Sequence, residues 1–344
     1  MYYSHLLRRT RSTCSRMADR VPAPATVNLL ADGGGPALFP SSRRSGTLPL
    51  SPQRLKGQMH KTSQTNVDTD VARGFGDEWS TFRQEEDRLS RGEREAIFDS
   101  YFRIFPWHLL PEGSVGLDAG CGSGRWSMLV APRVGHLHLL DASPAALAVA
   151  RSNLLGIPNV TFHKRSIGDI PLADGSLDFA FSLGVLHHVP DTAAAVGAVA
   201  AKLKPGAPFL LYLYYAFDNR PVWYRRIWSI TDGVRMVLSR QRHWTRFLVS
   251  GLFAATVYWP LARAAALLSA VGVPIAALPL AYYADKSFYV MRTDAYDRFC
   301  TRLEQRFTKA EIERMMRDAG LEQIRFSETA PFWCAVGLAP VRAG

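Results

Sequence analysis

Between Gly113 and Phe217 short apolar runs alternate with stretches of helical period, a pattern that predicts a parallel α/β sheet. Val115-Gly116-Leu117 is the first run, and a helix follows over Arg125–Val130. His136–Leu140 is the second, closed by Asp141, after which Ser143 and Pro144 have the cap and first-turn chemistry of a helix. A fourth strand is predicted near Phe181, and a filler helix over Thr192–Ala201 takes Asp191 as its cap. A fifth strand runs from Phe209 to Tyr214, with Tyr212 and Tyr214 on one face by alternation. Upstream, Ser90 and Glu93 have capping-box spacing, and Ile97, Tyr101 and Phe102 recur at helical intervals before Pro106. The Phe75–Trp79 stretch reads as a ligand cover or as ordinary packing, with packing favoured. Downstream, Thr308 and Glu311 cap a helix ending near Gly320, and strands follow around Ile324–Ser327 and Phe332–Leu338.

Between the fifth strand and the Thr308 helix lie 88 residues, 218–305, that such a sheet does not need. They predict helices over Val222–Leu238 and Trp244–Leu268, then a segment broken by proline. Ala264 to Ala284 is uncharged for 21 residues, long enough to cross a bilayer, but Gly272, Pro274 and Pro279 interrupt it and Arg263 precedes it. A soluble lid over an apolar acceptor is the favoured reading. The second is a lid that also touches membrane through 246–284, and the third is a true span. Phe247, Leu248, Leu252, Phe253, Val257 and Trp259 recur near helical spacing and predict the buried face of the second helix. Asp294–Arg302 returns the chain to the core and is expected to add polar groups to the pocket.

Composition changes the picture at one end. Residues 1–61 carry ten Lys/Arg against Asp19 and Asp32, leaving 31 basic and 28 acidic residues (41 less 10, 30 less 2) in 62–344. The net charge of +11 therefore belongs mainly to the tail, and a nucleic-acid-binding surface is disfavoured for the rest. The tail is rich in Pro, Ser and Arg and reads as disordered. An over-long gene start, with Met17 or Met59 as the true one, is favoured over an organelle transit peptide. Cys14, Cys121, Cys300 and Cys334 form no Cys-x-x-Cys pair, so zinc ribbons and disulfide frameworks are disfavoured. The resulting organisation is a tail (1–61), an N-terminal helical segment (62–112), a cofactor core (113–217), the insertion (218–305) and a closing helix with strands (306–344).

The chemistry concentrates after the first strand. In Asp118-Ala119-Gly120-Cys121-Gly122-Ser123-Gly124, three alternate glycines permit a tight turn and a close backbone approach to a ligand. Asp141 lies 21 residues after Gly120, where an acid at the end of the second strand can accept both ribose hydroxyls. Dinucleotide sites use G-x-G-x-x-G to seat a pyrophosphate. Here the spacing is G-x-G-x-G with an acid two residues earlier, which would repel a pyrophosphate but suits an ammonium and a sulfonium. That combination points to S-adenosyl-L-methionine.

The glycine loop, Ser166–Leu172, Asp174–Phe179, Phe181–Val189 with His187-His188, and Leu203-Lys204-Pro205-Gly206 stand in one order. In that order the chain resembles the class I S-adenosylmethionine-dependent methyltransferases, in the branch of quinone and other small-molecule methylases. The resemblance covers roughly 113–217 and 306–340. It implies a Rossmann-like, doubly wound seven-stranded sheet with an antiparallel last strand, here carrying a helical lid. It places cofactor contacts on Asp118, Gly120, Cys121, Gly122, Gly124, Asp141, Ala142, Ser166, Ile167 and Ser182. Ser166 stands where the family usually has an acid or amide, so the adenine contact comes from its hydroxyl or from the Ile167 or Gly168 backbone.

Cys121 reads as a small loop residue rather than a nucleophile. His187 and His188 are the candidate bases, with one of them ordering the turn instead. The other histidines have no ligand spacing, so no metal is expected. Tyr212 and Tyr214 are candidates for the acceptor wall. The expected activity is methyl transfer to an oxygen or carbon of a small, largely apolar molecule, in the cytoplasm, with peripheral membrane contact through 246–284 as the second reading of the lid. Two rivals stand beside it: a cofactor-binding protein without catalysis, and a nucleic-acid methylase, which would need a basic, aromatic-lined channel.

Overall fold

The computed structural model describes residues 66–81, 91–275 and 278–341, and the side chains of all of these except 77–81. The readings made for 1–61, including Cys14, Met17 and Met59, and for Ser90 lie outside the described residues.

Seven strands form one sheet in the order β3-β2-β1-β4-β5-β7-β6. They are β1 Val115–Ala119, β2 His136–Asp141, β3 Val160–Lys164, β4 Phe179–Leu183, β5 Pro208–Tyr212, β6 Glu322–Phe326 and β7 Cys334–Leu338. β1 to β5 pair in parallel, and β7 inserts antiparallel between β5 and β6. The expected Rossmann-like, doubly wound sheet is therefore present. Its strand order reverses at β1, which pairs with both β2 and β4, and ligands of open α/β sheets bind outside the carboxyl ends of the strands at such a point.

Alternation along the strands sorts the core onto two faces. Phe179 and Phe181 pack with Leu137, Leu139 and Leu210 under α2 (Arg91–Phe102) and α4 (Pro144–Asn153). Ala180, Leu117 and Leu211 pack on the other face, toward α5 (Thr192–Ala200) and α10 (Lys309–Asp318). The helix starts follow local chemistry. Ser143 accepts from Ala146 N–H, Asp191 from Ala194 N–H, and Thr308 forms a complete capping box with Glu311. Each such cap stabilises by about 1 kcal/mol. Glu93 accepts a hydrogen bond from the Ser287 N–H at 2.7 Å, tying α2 to the insertion.

The helix after the glycine loop is shorter than expected: α3 covers Ser127–Val130 and tightens into a 3₁₀ turn. No helix joins β3 to β4, so His136, His138 and His163 lie half-buried on a sheet face that such a helix would cover. His138 Nδ1 meets His163 Nε2 at 3.0 Å, and His136 Nε2 meets Thr161 Oγ1 at 2.9 Å. Among the described residues no group of His, Cys, Asp and Glu is arranged to hold a metal ion.

The insertion carries α6 (Val222–Leu238), α7 (His243–Phe253), a π-helical turn (Ala254–Tyr258) and α8 (Trp259–Ala270). It ends in α9 (Phe288–Cys300), a helix not expected from the sequence. The face of α7–α8 that packs inward is the expected one only in part. Ser250, Ala254, Tyr258, Ala262 and Ala265 are buried, with Ala254, Tyr258 and Ala262 packed against Met291, Ala295 and Phe299 of α9. Of the six residues expected to be buried, Phe247 and Phe253 do pack on this cluster, Phe253 stacking on Phe299 at 4.8 Å, whereas Leu248, Leu252, Val257 and Trp259 are exposed. Small residues let the helices approach closely, and the bulky apolar row is left outside.

Candidate functional site

A cavity of about 850 Å³ opens at the carboxyl ends of β1, β2, β4 and β5. One half is built by the glycine loop. Gly120 has φ +89°, and a Cβ there would meet Val185 Cγ1 at 2.3 Å, so only glycine allows the backbone to line the cavity at this point. Asp141 sits on the wall with one carboxylate oxygen accepting from Gly122 N–H at 2.9 Å and the other from Ser143 N–H at 2.8 Å. Burial raises the pKa of Asp141, while these two bonds oppose the rise.

Of the ten residues expected at the cofactor, Gly120, Cys121, Gly122, Asp141, Ala142 and Ile167 line the cavity. Asp118, Gly124, Ser166 and Ser182 do not. Asp118 lies beneath the loop and accepts from Ser127 Oγ at 2.5 Å; burial pushes its pKa up to about 7 against that bond. Ser182 Oγ donates to the Ala119 carbonyl at 2.7 Å and so ties β4 to the end of β1. Ser166 Oγ is buried without a protein partner among the described residues, while its neighbour Ile167 forms the wall. Gly124 packs against Leu154 and Ala150. Asp118, Gly124 and Ser182 thus shape the loop from behind. Cys121 is 7% exposed, and burial, then the Asp141 and Asp118 carboxylates, raise its thiol pKa, as suits a loop residue and not a nucleophile.

The cradle fits S-adenosylmethionine. A carboxylate stands where a ribose would lie, Ala142 and Ile167 offer apolar flanks, and Ser123 Oγ is buried on the wall without a protein partner among the described residues.

The two candidate bases differ. Both sit in a 3₁₀ turn (Leu186–His188) after β4, with rings 3.9 Å apart, but only His188 lines the cavity. His188 Nδ1 lies 2.7 Å from the Leu303 carbonyl, which can only accept, so Nδ1 carries the hydrogen and Nε2 keeps its lone pair. His187 has the opposite tautomer: its Nδ1 accepts from Tyr214 N–H at 3.4 Å, and its ring stacks 3.9 Å from that of Tyr214. Burial lowers the pKa of both, so both rings stay neutral to more acid pH than free imidazole.

The second half of the cavity comes from further along the chain. Tyr212 and Tyr214 line it together, as alternation predicted, with Tyr101 edge-on to Tyr212 at 5.1 Å. Tyr258, Tyr282 and Tyr283 come from the insertion, and Asp294, Asp297 and Arg298 from α9. Tyr214 hydrogen-bonds Asp297, and Tyr283 donates to Asp294 at 3.0 Å. Burial pushes the pKa of Asp294 up to about 6, against the pull of Arg125 and Tyr283. The expectation of polar groups from 294–302 is met. Tyr258, Tyr282 and Tyr283 escaped sequence reasoning because no local pattern connects them to the glycine loop. Phe75 of α1 (Thr69–Thr81) also faces the cavity and contacts the His188 ring at 4.8 Å, so α1 covers the ligand space as well as packing.

Residues 117–206 match the family of methyltransferase domains. Residues 117–206 are thus a methyltransferase domain, and S-adenosylmethionine is its cofactor. The chain is 32% identical over 152 residues to methyltransferase nsrG of Aspergillus novofumigatus, spanning 42% of this chain and 58% of that protein. It is 33% identical over 144 residues to the ubiquinone biosynthesis O-methyltransferase of Hahella chejuensis, spanning 40% of this chain and 58% of that one. The chain thus spans under two thirds of the length of both relatives. Among solved structures it is similar to a SAM-dependent methyltransferase of Methanosarcina mazei, with 17% identity, TM-score 0.42 and coverage of 69% of this chain and 99% of the other.

Proposed function

We propose that this chain is an enzyme that moves a methyl group from S-adenosylmethionine to an oxygen or carbon of a small, largely apolar molecule. The observation that carries the reading is the continuity of one cavity from the glycine loop and Asp141 into a wall of tyrosines with two carboxylates. An apolar body and a few placed polar groups are what a small-molecule site needs. The similarity to a ubiquinone biosynthesis O-methyltransferase supports the same acceptor class.

The bound cofactor supplies a methyl group already activated on a sulfonium. The protein's task is to align the acceptor with it and exclude water. Gly120, Cys121, Gly122, Asp141, Ala142 and Ile167 are proposed to hold the cofactor, with Asp118, Gly124 and Ser182 shaping the loop behind them and Ser166 preceding Ile167 at the wall. Tyr212 and Tyr214 form the acceptor wall. His188, whose Nε2 is buried at the cavity wall without a protein partner among the described residues, is the proposed base and would accept the acceptor's hydroxyl or enol proton. His187 is a positioning residue. The proposed setting is a reducing compartment such as the cytoplasm, in keeping with the buried thiols of Cys121 and Cys334 among the described residues.

Incubation of the full chain with labelled cofactor and fractions of quinone, polyketide and lipid extracts, read by mass spectrometry, tests this. A labelled apolar product supports it. Tight cofactor binding with no labelled product in any fraction favours a binding protein without catalysis. Label entering only nucleic acid added in parallel favours the nucleic-acid methylase.

A further inference from the structure

The insertion turns its bulky apolar side chains outward on two helices. On α6, Trp223, Ile227, Ile230, Val234 and Val237 recur at four- and three-residue steps, which places them on one face, and all are exposed, Ile230 by 72%. The buried residues of that helix are Arg235 and Leu238. On α7, Trp244, Leu248 and Leu252 form a second outward row, each exposed by more than 60%. Both helices pack on α9. A lid that served only to cover a cavity would keep such rows inside, because exposed apolar patches of this extent mark interaction sites.

Charge identifies the occupant. Residues 219–284 contain eight arginines and one acid, Asp232. Asp232 is held by Arg235 at 2.7 Å and Arg298 at 3.7 Å, so its charge is matched inside the fold. Arg225, Arg226, Arg240 and Arg242 are exposed on or beside the same two helices. A second copy of this chain would bring like charges together, whereas an anionic bilayer supplies the complement. The outward tryptophans Trp223, Trp244 and Trp259 suit a membrane–water interface. The helix His243–Ala270 is long and apolar enough to span, but Ala254, Tyr258 and Ala262 are committed to packing on α9. Arg263 is likewise held by the carbonyls of Tyr283 and Lys286 at 3.2 and 3.0 Å. Spanning would strip away those contacts and place Arg263 in hydrocarbon.

We infer that the insertion docks the protein on the surface of an anionic bilayer through the outward faces of α6 and α7. Tyr258, Leu278 and Tyr282 of this insertion line the acceptor half of the cavity, which opens the site to a molecule dissolved in that bilayer. The second clause rests on the proposed function; the docking itself does not.

The test is co-sedimentation of the full chain with phosphatidylcholine vesicles, with and without phosphatidylglycerol, alongside calorimetric cofactor binding. Binding should require phosphatidylglycerol and weaken as salt rises. Each surface arginine is worth roughly five-fold in partitioning, so R225S/R226S should lower vesicle affinity about ten- to thirty-fold. W223S/I227S should lower it at every salt concentration, and neither pair should alter cofactor affinity. Failure of the full chain to bind anionic vesicles, with cofactor binding intact, overturns the inference. So does a dimer that W223S/I227S converts to monomer without changing vesicle binding, or a preference for single-stranded oligonucleotide over anionic vesicles. Vesicle binding without cofactor binding would instead count against the methyltransferase reading and leave the docking surface standing.

Discussion

Asp141 holds the glycine loop and faces the cavity with the same carboxylate. Its bonds to Gly122 and Ser143 fix the loop, and its remaining lone pairs face the ligand. Asp141→Ala should therefore weaken cofactor binding by about 1.5–3 kcal/mol, roughly 10- to 150-fold by calorimetry. Unchanged affinity would remove Asp141 from the cofactor site. His188 and His187 separate in the same way. His188→Gln should slow transfer about 10²- to 10⁴-fold with cofactor affinity intact. Burial lowers the His188 pKa, so the acid limb of kcat against pH should fall below the 6.5 of free imidazole. A limb above that value would exclude His188 as the base. These assignments were half legible in sequence. The glycine spacing and the offset to Asp141 are local, but the tautomer of His188 depends on Leu303, 115 residues away.

Among the elements, the caps at Ser143, Asp191 and Thr308 were readable because a cap needs only its own first turn. The packing face of α7–α8 was readable only in part, because apolar periodicity reports that a face exists and does not say whether protein or lipid covers it. Replacing 221–301 with a short flexible linker should leave cofactor affinity unchanged and abolish transfer to the natural acceptor, since the acceptor wall loses Tyr258, Tyr283, Asp294 and Asp297. Normal methylation by the shortened protein would show that the insertion is not part of the acceptor site.

For the whole molecule, the histidines on the uncovered sheet face link stability to pH. Burial, then His136 and His163, lower the His138 pKa from 6.5 to about 4, and burial lowers that of His163. The unfolded chain takes up these protons first as pH falls, so this contribution is fully present above pH 6.5 and is lost toward pH 4. Asp118, raised to about 7, acts in the opposite direction, because the folded acid keeps a proton that the unfolded one releases above 3.8. A comparison that isolates the ring is therefore needed. Scanning calorimetry from pH 7 to 4.5 should show Tm falling less steeply for His138→Gln than for the natural sequence. Equal slopes would mean that the ring titrates alike in both states.

Where the insertion leaves and rejoins the sheet, Tyr215 and Phe307 form a parallel β-bridge. Phe307 N–H donates to the Tyr214 carbonyl at 2.9 Å, and Ala216 N–H donates to the Phe307 carbonyl at 2.9 Å. The two ends of a long excursion thus meet at one point on the rim of the sheet. The entropy of closing such a loop grows only with the logarithm of its length, by about 0.6 kcal/mol per doubling. A lineage can therefore lengthen, shorten or exchange everything between those two residues while the catalytic sheet registers little change. In this architecture the proposed acceptor wall can be inherited separately from the residues proposed to hold the methyl donor.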